Sequence, residues 1–256
     1  MPSTAPATIS VVVPTLNEAA NLPHVFARIP DFVDEIVVVD GHSTDDTVEV
    51  ARALRPDVRI VLQRGKGKGN ALACGFAAAR GDIIVMIDAD GSTDPAEIPL
   101  FVQPLLDGAD FAKGSRFMEG AGTVDITPLR DMGNKALNGT VNLLFGTEYT
   151  DLCYGYNAFW RHCLEHMHVT CDGFEVETLI NVRIARAGLK VAEVPSMEQE
   201  RLFGESKLNA WRDGRRVLKT ILRERFRSQP TPADPESWRP HFVELGDDLS
   251  PATAAA

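Results

Sequence analysis

Residues 84–95 read IVMIDADGSTDP, an apolar run, Ile84–Ile87, that enters three carboxylates, Asp88, Asp90 and Asp94, within seven residues. The apolar run reads as a buried strand, and like charges this close at the edge of a core are costly unless cations or hydrogen-bond donors compensate them. Something positive is therefore expected at this strand end.

The same strand signal recurs on the N-terminal side. Ile9–Val13, Glu35–Val39, Val58–Leu62 and Ile83–Ile87 are short apolar runs, separated by helix-compatible segments Glu18–Arg28, Thr44–Leu54 and Asn70–Ala79. Continuous apolar strands alternating with helices predict a single α/β domain built on a mostly parallel, Rossmann-like sheet flanked by helices. Ser43 reads as the N-cap of the second helix, with Asp45 and Asp46 in its first turn. Ligands of such sheets bind at the carboxyl ends of the strands. Four polar segments collect there: PTLNE, DGHSTDD, RGKGKGN and DADGSTD.

Beyond Pro95 strands become sparse and longer helices are expected over Leu129–Phe145, Glu175–Ala187 and Lys207–Arg227. The organisation that follows is a flexible N-terminus over 1–8 and a main domain over 9–208. That domain divides into a nucleotide-binding half, 9–95, and an acceptor half, 96–208. A basic amphipathic helix over 207–227 follows, and a Pro-rich tail over 228–256 is read as disordered or loosely docked.

Composition narrows the function. At 256 residues, 44% hydrophobic and 24% charged, the chain is that of a globular protein. A net charge of −10 argues against a general nucleic-acid binder, which needs a basic surface. Cys74, Cys153, Cys163 and Cys171 form no C-x-x-C pair, and MPSTAPATIS lacks the basic and apolar regions of a signal peptide. The expectation is a cytoplasmic protein with free thiols. No window approaches the ~20 apolar residues of a membrane span, so any membrane contact would be peripheral, at the inner face.

Asp88 and Asp90 offer hard oxygens one residue apart, a pattern suited to Mg2+ or Mn2+ held jointly with substrate phosphates. The plainer alternative is a capped turn, with Ser92 and Asp94 starting a helix at Pro95. Asp40, ending the second strand, could accept bonds from nucleotide hydroxyls or base. PTLNE is not the G-x-G-x-x-G turn of a dinucleotide site, and RGKGKGN is not a P-loop. Its Lys66 or Lys68 could still close a flexible basic loop over phosphates. His162 to His166 fits H-x-x-E-H, the inverted zinc-peptidase signature, but without an evident third ligand it reads as surface histidines on a helix.

Taken in order, VVVPTLNE, IVVVDGHSTDDT, DADGSTDP, GSR at Gly114–Arg116 and RLFGESKL at Arg201–Leu208 resemble glycosyltransferase family 2, of GT-A fold. Within it the sequence is most similar to dolichol-phosphate or polyprenyl-phosphate sugar transferases. The resemblance implies that Pro14, Glu18 and Asp40 hold the nucleoside, and that Asp88 and Asp90 bind the divalent metal on the diphosphate. Ser92 stands where relatives often have Gln beside the metal, and Leu16 where many have Tyr. Arg116 and Arg130 match arginines that handle donor or acceptor phosphate. Arg201, Ser206 and Lys207 match a loop near the diphosphate, and Glu177 matches an acidic position.

The implied activity is inverting transfer of a sugar from a UDP- or GDP-linked donor to a polyprenyl phosphate, with Mg2+ or Mn2+. A phosphate acceptor is already an anion and needs no base. A soluble hydroxyl acceptor does, and Asp151 is then the first candidate, against its role as a loop-fixing residue. A non-catalytic nucleotide-sugar-binding protein is the remaining alternative. Along 207–227, Leu208, Trp211, Leu218, Ile221, Leu222 and Phe226 recur at helical spacing, while Arg212, Arg215, Arg216, Lys219, Arg223, Arg225 and Arg227 face Asp213 and Glu224. Such a helix can lie on an anionic membrane or pack its stripe on the core.

Overall fold

The computed structural model describes residues 6–124, 126–205, 208–228 and 240–246. Its elements are β1 (Ile9–Thr15), α1 (Leu22–Phe26), β2 (Glu35–Asp40), α2 (Thr47–Leu54), β3 (Arg59–Gln63), α3 (Gly67–Ala78) and β4 (Ile83–Met86) in the first third. There follow α4 (Ile98–Leu106), β5 (Phe111–Ser115), β6 (Gly122–Thr123), α5 (Pro128–Phe145), β7 (Asn157–Trp160), α6 (Leu164–Met167) and α7 (Val176–Arg186). The chain closes with β8 (Val191–Pro195), β9 (Met197–Glu198), α8 (Ala210–Phe226) and β10 (Phe242–Leu245).

One eight-stranded sheet runs β10-β3-β2-β1-β4-β7-β5-β8. Only β7 and β10 run against the other six strands, so the sheet is mostly parallel, as expected. Both faces are covered, which explains the unbroken apolar runs of the central strands. Val11 and Val13 of β1 and Val38 of β2 face one layer, with Leu22, Val48 and Phe101. Val12, Val37 and Val39 face the other, with Leu72, Phe76 and Ile180.

The register pairs Thr15 with Asp40 and Val12 with Met86, which brings the ends of β1, β2 and β4 to one edge. Insertion of β7 antiparallel to β4, Met86 opposite Asn157, delivers the turn before it, Tyr154–Tyr156, to that same edge.

A third cluster, with Val141, Leu152, Val182, Val217 and Ile221, seats α8 on α5 and α7. Asn209 caps α8 by accepting from the Arg212 amide at 3.0 Å. Arg183 meets the fully buried Glu224 through two hydrogen bonds, at 3.1 and 2.9 Å, and pins the helix to α7.

Two expectations change here. The 228–256 tail contains β10, which pairs antiparallel with β3; Arg59 joins Glu244 and Glu35 across that edge. The Pro-rich stretch before it lies outside the described residues. Ser43 caps no helix: α2 begins at Thr47, and Ser43 instead donates to Asp40 from its amide and hydroxyl, at 3.0 and 2.5 Å.

Candidate active site

The three carboxylates of the DADGSTD turn are each met by a cation. Asp88 pairs with Lys68 of α3 at 2.6 Å, Asp90 with Arg201 at 2.8 Å, and Asp94 with Arg28 through two bonds. Asp94 also accepts from the Ala96 amide and starts the helical turn at Pro95, so it is the capping residue of this stretch. Asp88 and Asp90 behave differently. They line a cleft of about 1480 Å³, together with Pro14, Leu16, Glu18 and Ser92.

Asp90 is held from several directions. Its Oδ1 accepts from the Ser92 amide at 3.0 Å and hydroxyl at 2.7 Å, while its carbonyl accepts from the Leu202 amide. The Leu202 side chain packs on Gly91, whose φ of +81° and lack of Cβ allow the approach. Phe203 exchanges two hydrogen bonds with Asn21, and the Gln199 amide donates to the Ser92 carbonyl. The segment 199–203 is thus laid across the carboxylate turn, with Arg201 reaching both Asp90 and Glu18, the latter at 3.1 Å.

Lys68 is nearly buried between Asp88 and Glu177, the second at 2.8 Å. Burial alone would lower its ammonium, but the two carboxylates outweigh burial and raise it. Burial raises the Glu177 carboxyl, against the opposing pull of Lys68. Lys68 is therefore an inward charge, and the expected flexible basic loop is the start of α3. Gly67 and Gly69 sit where any Cβ would strike the carbonyls of Asp172 and Cys171, which fixes this turn by close packing. Lys66 is exposed at the cleft edge.

Arg116 and Asp151 come together in a manner that corrects the expectation for Asp151. The Asp151 side chain is fully buried and accepts two bonds from the Arg116 guanidinium, at 2.7 and 3.0 Å, one from the Arg116 amide at 3.2 Å and one from Asn134 at 3.0 Å. Burial by itself would raise its carboxyl, but Arg116 overrides this and holds it below the usual range. A carboxylate so occupied is not a base for an acceptor hydroxyl; it fixes Arg116. The second side of Arg116 meets Glu198 at 3.0 Å and its guanidinium lies 5.0 Å from the Tyr154 ring.

Asp40 is fully buried beneath Ser43 and does not line the cleft. Arg130 lines its far side from the first turn of α5, and Ser206 and Lys207 lie outside the described residues. His162 donates from Nε2 to the Asp110 carboxylate at the surface, and among the described residues no group of three His, Cys, Asp or Glu could hold a metal alone. The zinc-peptidase reading ends there.

Sequence reasoning missed Asn21, Glu198 and Gly155. A Cβ on Gly155 would come within 3.1 Å of Asp88 and 3.0 Å of Lys68, so glycine keeps the floor of the cleft open. The GYN turn in the sequence was the available signal.

The model of glycosyl transferase family 2 matches residues 10–167. The chain belongs to this family. Glycosyltransferase AglJ of Haloferax volcanii is 31% identical over 88% of this chain and 74% of its own length. The dolichol-phosphate mannosyltransferase of Pyrococcus furiosus is 35% identical over 78% of this chain, which spans only 59% of that longer relative. Among solved structures, glucosyl-3-phosphoglycerate synthase from Mycobacterium tuberculosis, in complex with Mn2+, uridine diphosphate and phosphoglyceric acid, superposes with a TM-score of 0.70. That pair is 29% identical, covering 86% of this chain and 79% of the other. The family 2 member is a glycosyltransferase of GT-A architecture, as its sequence motifs implied.

Two part-exposed carboxylates on one turn fit a hard divalent cation that takes its remaining ligands from phosphates and water. Asp88 and Asp90 would hold it. Ser92, already committed to Asp90, would support the second ligand.

Proposed function

We propose that this family 2 enzyme transfers a sugar, with inversion, from a UDP- or GDP-linked donor to a polyprenyl phosphate, using Mg2+ or Mn2+. The observation that carries this reading is the shape of the cleft. Its lining extends from Asp88 and Asp90 to Arg130 and to α5 and α8, apolar at Leu129, Ala136, Leu137, Trp211 and Leu218 and basic at Arg212, Arg215 and Arg216. An anionic head beside the arginines, with an apolar chain over the neighbouring side chains, fits that mixed lining. Several relatives are named for such acceptors, including the undecaprenyl-phosphate mannosyltransferase of Micrococcus luteus, 31% identical over 82% of this chain.

In this reading Pro14, Leu16 and Glu18 border the nucleoside, with Lys66 at the cleft edge and the buried Asp40 holding Ser43 behind them, and Arg201, Ser206 and Lys207 attend the diphosphate. A bound divalent cation supplies charge stabilisation to the departing diphosphate. Arg201 adds a second positive charge at the same place, most valuable where negative charge grows. Arg130 orients the acceptor phosphate, which is already an anion, and Arg116 holds the turn that shapes this side. The engagement of Asp151 with Arg116 accords with an acceptor that needs no base.

The complex of the solved relative with phosphoglyceric acid favours a second reading, a soluble phosphorylated acceptor. Donor binding is common to both. With Mn2+ present, the correct nucleotide sugar at 100 times its dissociation constant should stabilise the fold by about 2.7 kcal/mol in a thermal-shift screen. No shift with any UDP or GDP sugar would refute the donor class.

No helix among the described residues is long and apolar enough to cross a membrane. The acceptor would be met at the inner face of one by α8. Its apolar stripe is divided: Val217 and Ile221 dock, while Trp211 is 75% and Phe226 84% exposed, with Leu218 and Leu222 between them. Asp213 and Glu224 are buried, so the outward charges are basic. Sedimentation with anionic liposomes is expected at low salt and should weaken with Arg215→Glu plus Arg216→Glu, since each surface cation contributes about 1 kcal/mol. Protein left in the supernatant at low salt would remove the interfacial role and favour the soluble acceptor.

A further inference from the structure

At the carboxylate turn each of two cations is divided between two acids. Lys68 lies 2.6 Å from Asp88 and 2.8 Å from Glu177; Arg201 lies 2.8 Å from Asp90 and 3.1 Å from Glu18. All four acids line the cleft, and in each triplet the aspartate is the more open one: Asp88 and Asp90 are 28% and 16% exposed, Glu177 and Glu18 5% and 11%.

We propose that Lys68 and Arg201 stand in for the divalent cation, neutralising Asp88 and Asp90 before it binds and withdrawing onto Glu177 and Glu18 when it arrives. The inference rests on the assignment of Asp88 and Asp90 to the metal. A carboxylate oxygen bonded to an ammonium or guanidinium must give up that bond to coordinate a metal, so the two compete directly. Four acids against two cations leave a charge of −2, which one divalent ion cancels. Each withdrawing cation keeps one of its two ion pairs, so the exchange is small in cost. Both are also carried on fixed backbone. Gly67 and Gly69 clamp the Lys68 turn against Cys171 and Asp172, and Asn21 and Asp90 hold the Arg201 segment. Only side chains need move.

Glu177 and Glu18 thereby become positioning residues. They govern metal affinity through Lys68 and Arg201, in a role distinct from coordination. A permanent salt-bridge network with the same contacts would respond only to the lost charge, so that Glu177→Gln would act equally with or without Lys68.

The test is binding of Mn2+ alone to the full chain, followed by electron paramagnetic resonance of the free ion. Lys68→Met and Arg201→Gln should each tighten binding about tenfold, and Glu177→Gln and Glu18→Gln weaken it by about fivefold, the scale of coupling between contacting charges. In the double variant Lys68→Met with Glu177→Gln, the glutamate substitution should no longer change affinity. Lys68→Arg, which keeps the charge, should restore the wild-type value. Unchanged affinity in Lys68→Met and Arg201→Gln would overturn the proposal, as would an undiminished Glu177→Gln effect in the double variant. Arg201 sits on a part-exposed segment, so its variant carries the test even if Lys68→Met does not fold. Asp88→Asn and Asp90→Asn separate the two ideas: if they leave Mn2+ binding intact, the metal assignment itself fails.

Discussion

Asp90→Asn is expected to lower sugar transfer about a hundredfold or more without loss of the folded state, the scale of removing one electrostatic contact to the transition state. The amide keeps the size of the carboxylate and one oxygen for Ser92, while Arg201 retains Glu18. On the proposed reading, what is lost is a charged ligand for the divalent cation that would offset the leaving diphosphate. Chelation of metal from the wild-type protein should have the same effect. Steady-state transfer rates with circular dichroism as the folding control decide it. Full activity in both the variant and the chelated enzyme would refute the metal's role.

The second large effect is on stability. Asp151→Ala should destabilise the fold by about 3–5 kcal/mol, because it leaves the buried Arg116 without its two-bond partner. Urea unfolding measures this. A loss under about 1 kcal/mol would show that Glu198 alone suffices to hold Arg116. The pH dependence has a definite sign. The Asp151 carboxyl is held below its ordinary value of 3.8, so its contribution is complete above that pH and is lost as pH falls through the lowered value. The variant should therefore show a shallower acid limb in its stability profile. Arg116→Ala joins this class, since its guanidinium is spent on Asp151 and Glu198 rather than exposed to phosphate.

The N-terminal half was legible because its strands are buried on both faces and write themselves as unbroken apolar runs, as in Val11–Val13 and Ile36–Val39. Strand ends then located the cleft, and Asp88, Asp90, Glu18 and Arg201 do converge there. Elements paired at long range were not legible. β7 is four residues long, and its insertion between β4 and β5 depends on partners far away in sequence. β10 lies in a segment whose composition reads as tail, and its place is decided by the open edge of β3 and by Arg59. The start of α3 was missed because glycines at 67 and 69 suggest a loop. Their cause is close packing against Cys171 and Asp172, which no local pattern reveals. The same limit applies to Asp151, whose partner Arg116 is 35 residues away. A motif can nominate a carboxylate, but only the fold shows whether its oxygens are already taken.

The proposed reaction is metal-assisted transfer to a prenyl phosphate at the Asp88 and Asp90 turn. It is tested most directly by incubating the enzyme and Mn2+ with radiolabelled UDP- and GDP-hexoses, supplying polyprenyl phosphate and phosphoglycerate together, and partitioning the products between organic solvent and water. Label from one donor is expected to enter the organic phase, chelation to abolish this, and Asp90→Asn to reduce it about a hundredfold or more. Label confined to aqueous phosphoglycerate, or transfer to lipid that persists undiminished in the chelated enzyme, would contradict it.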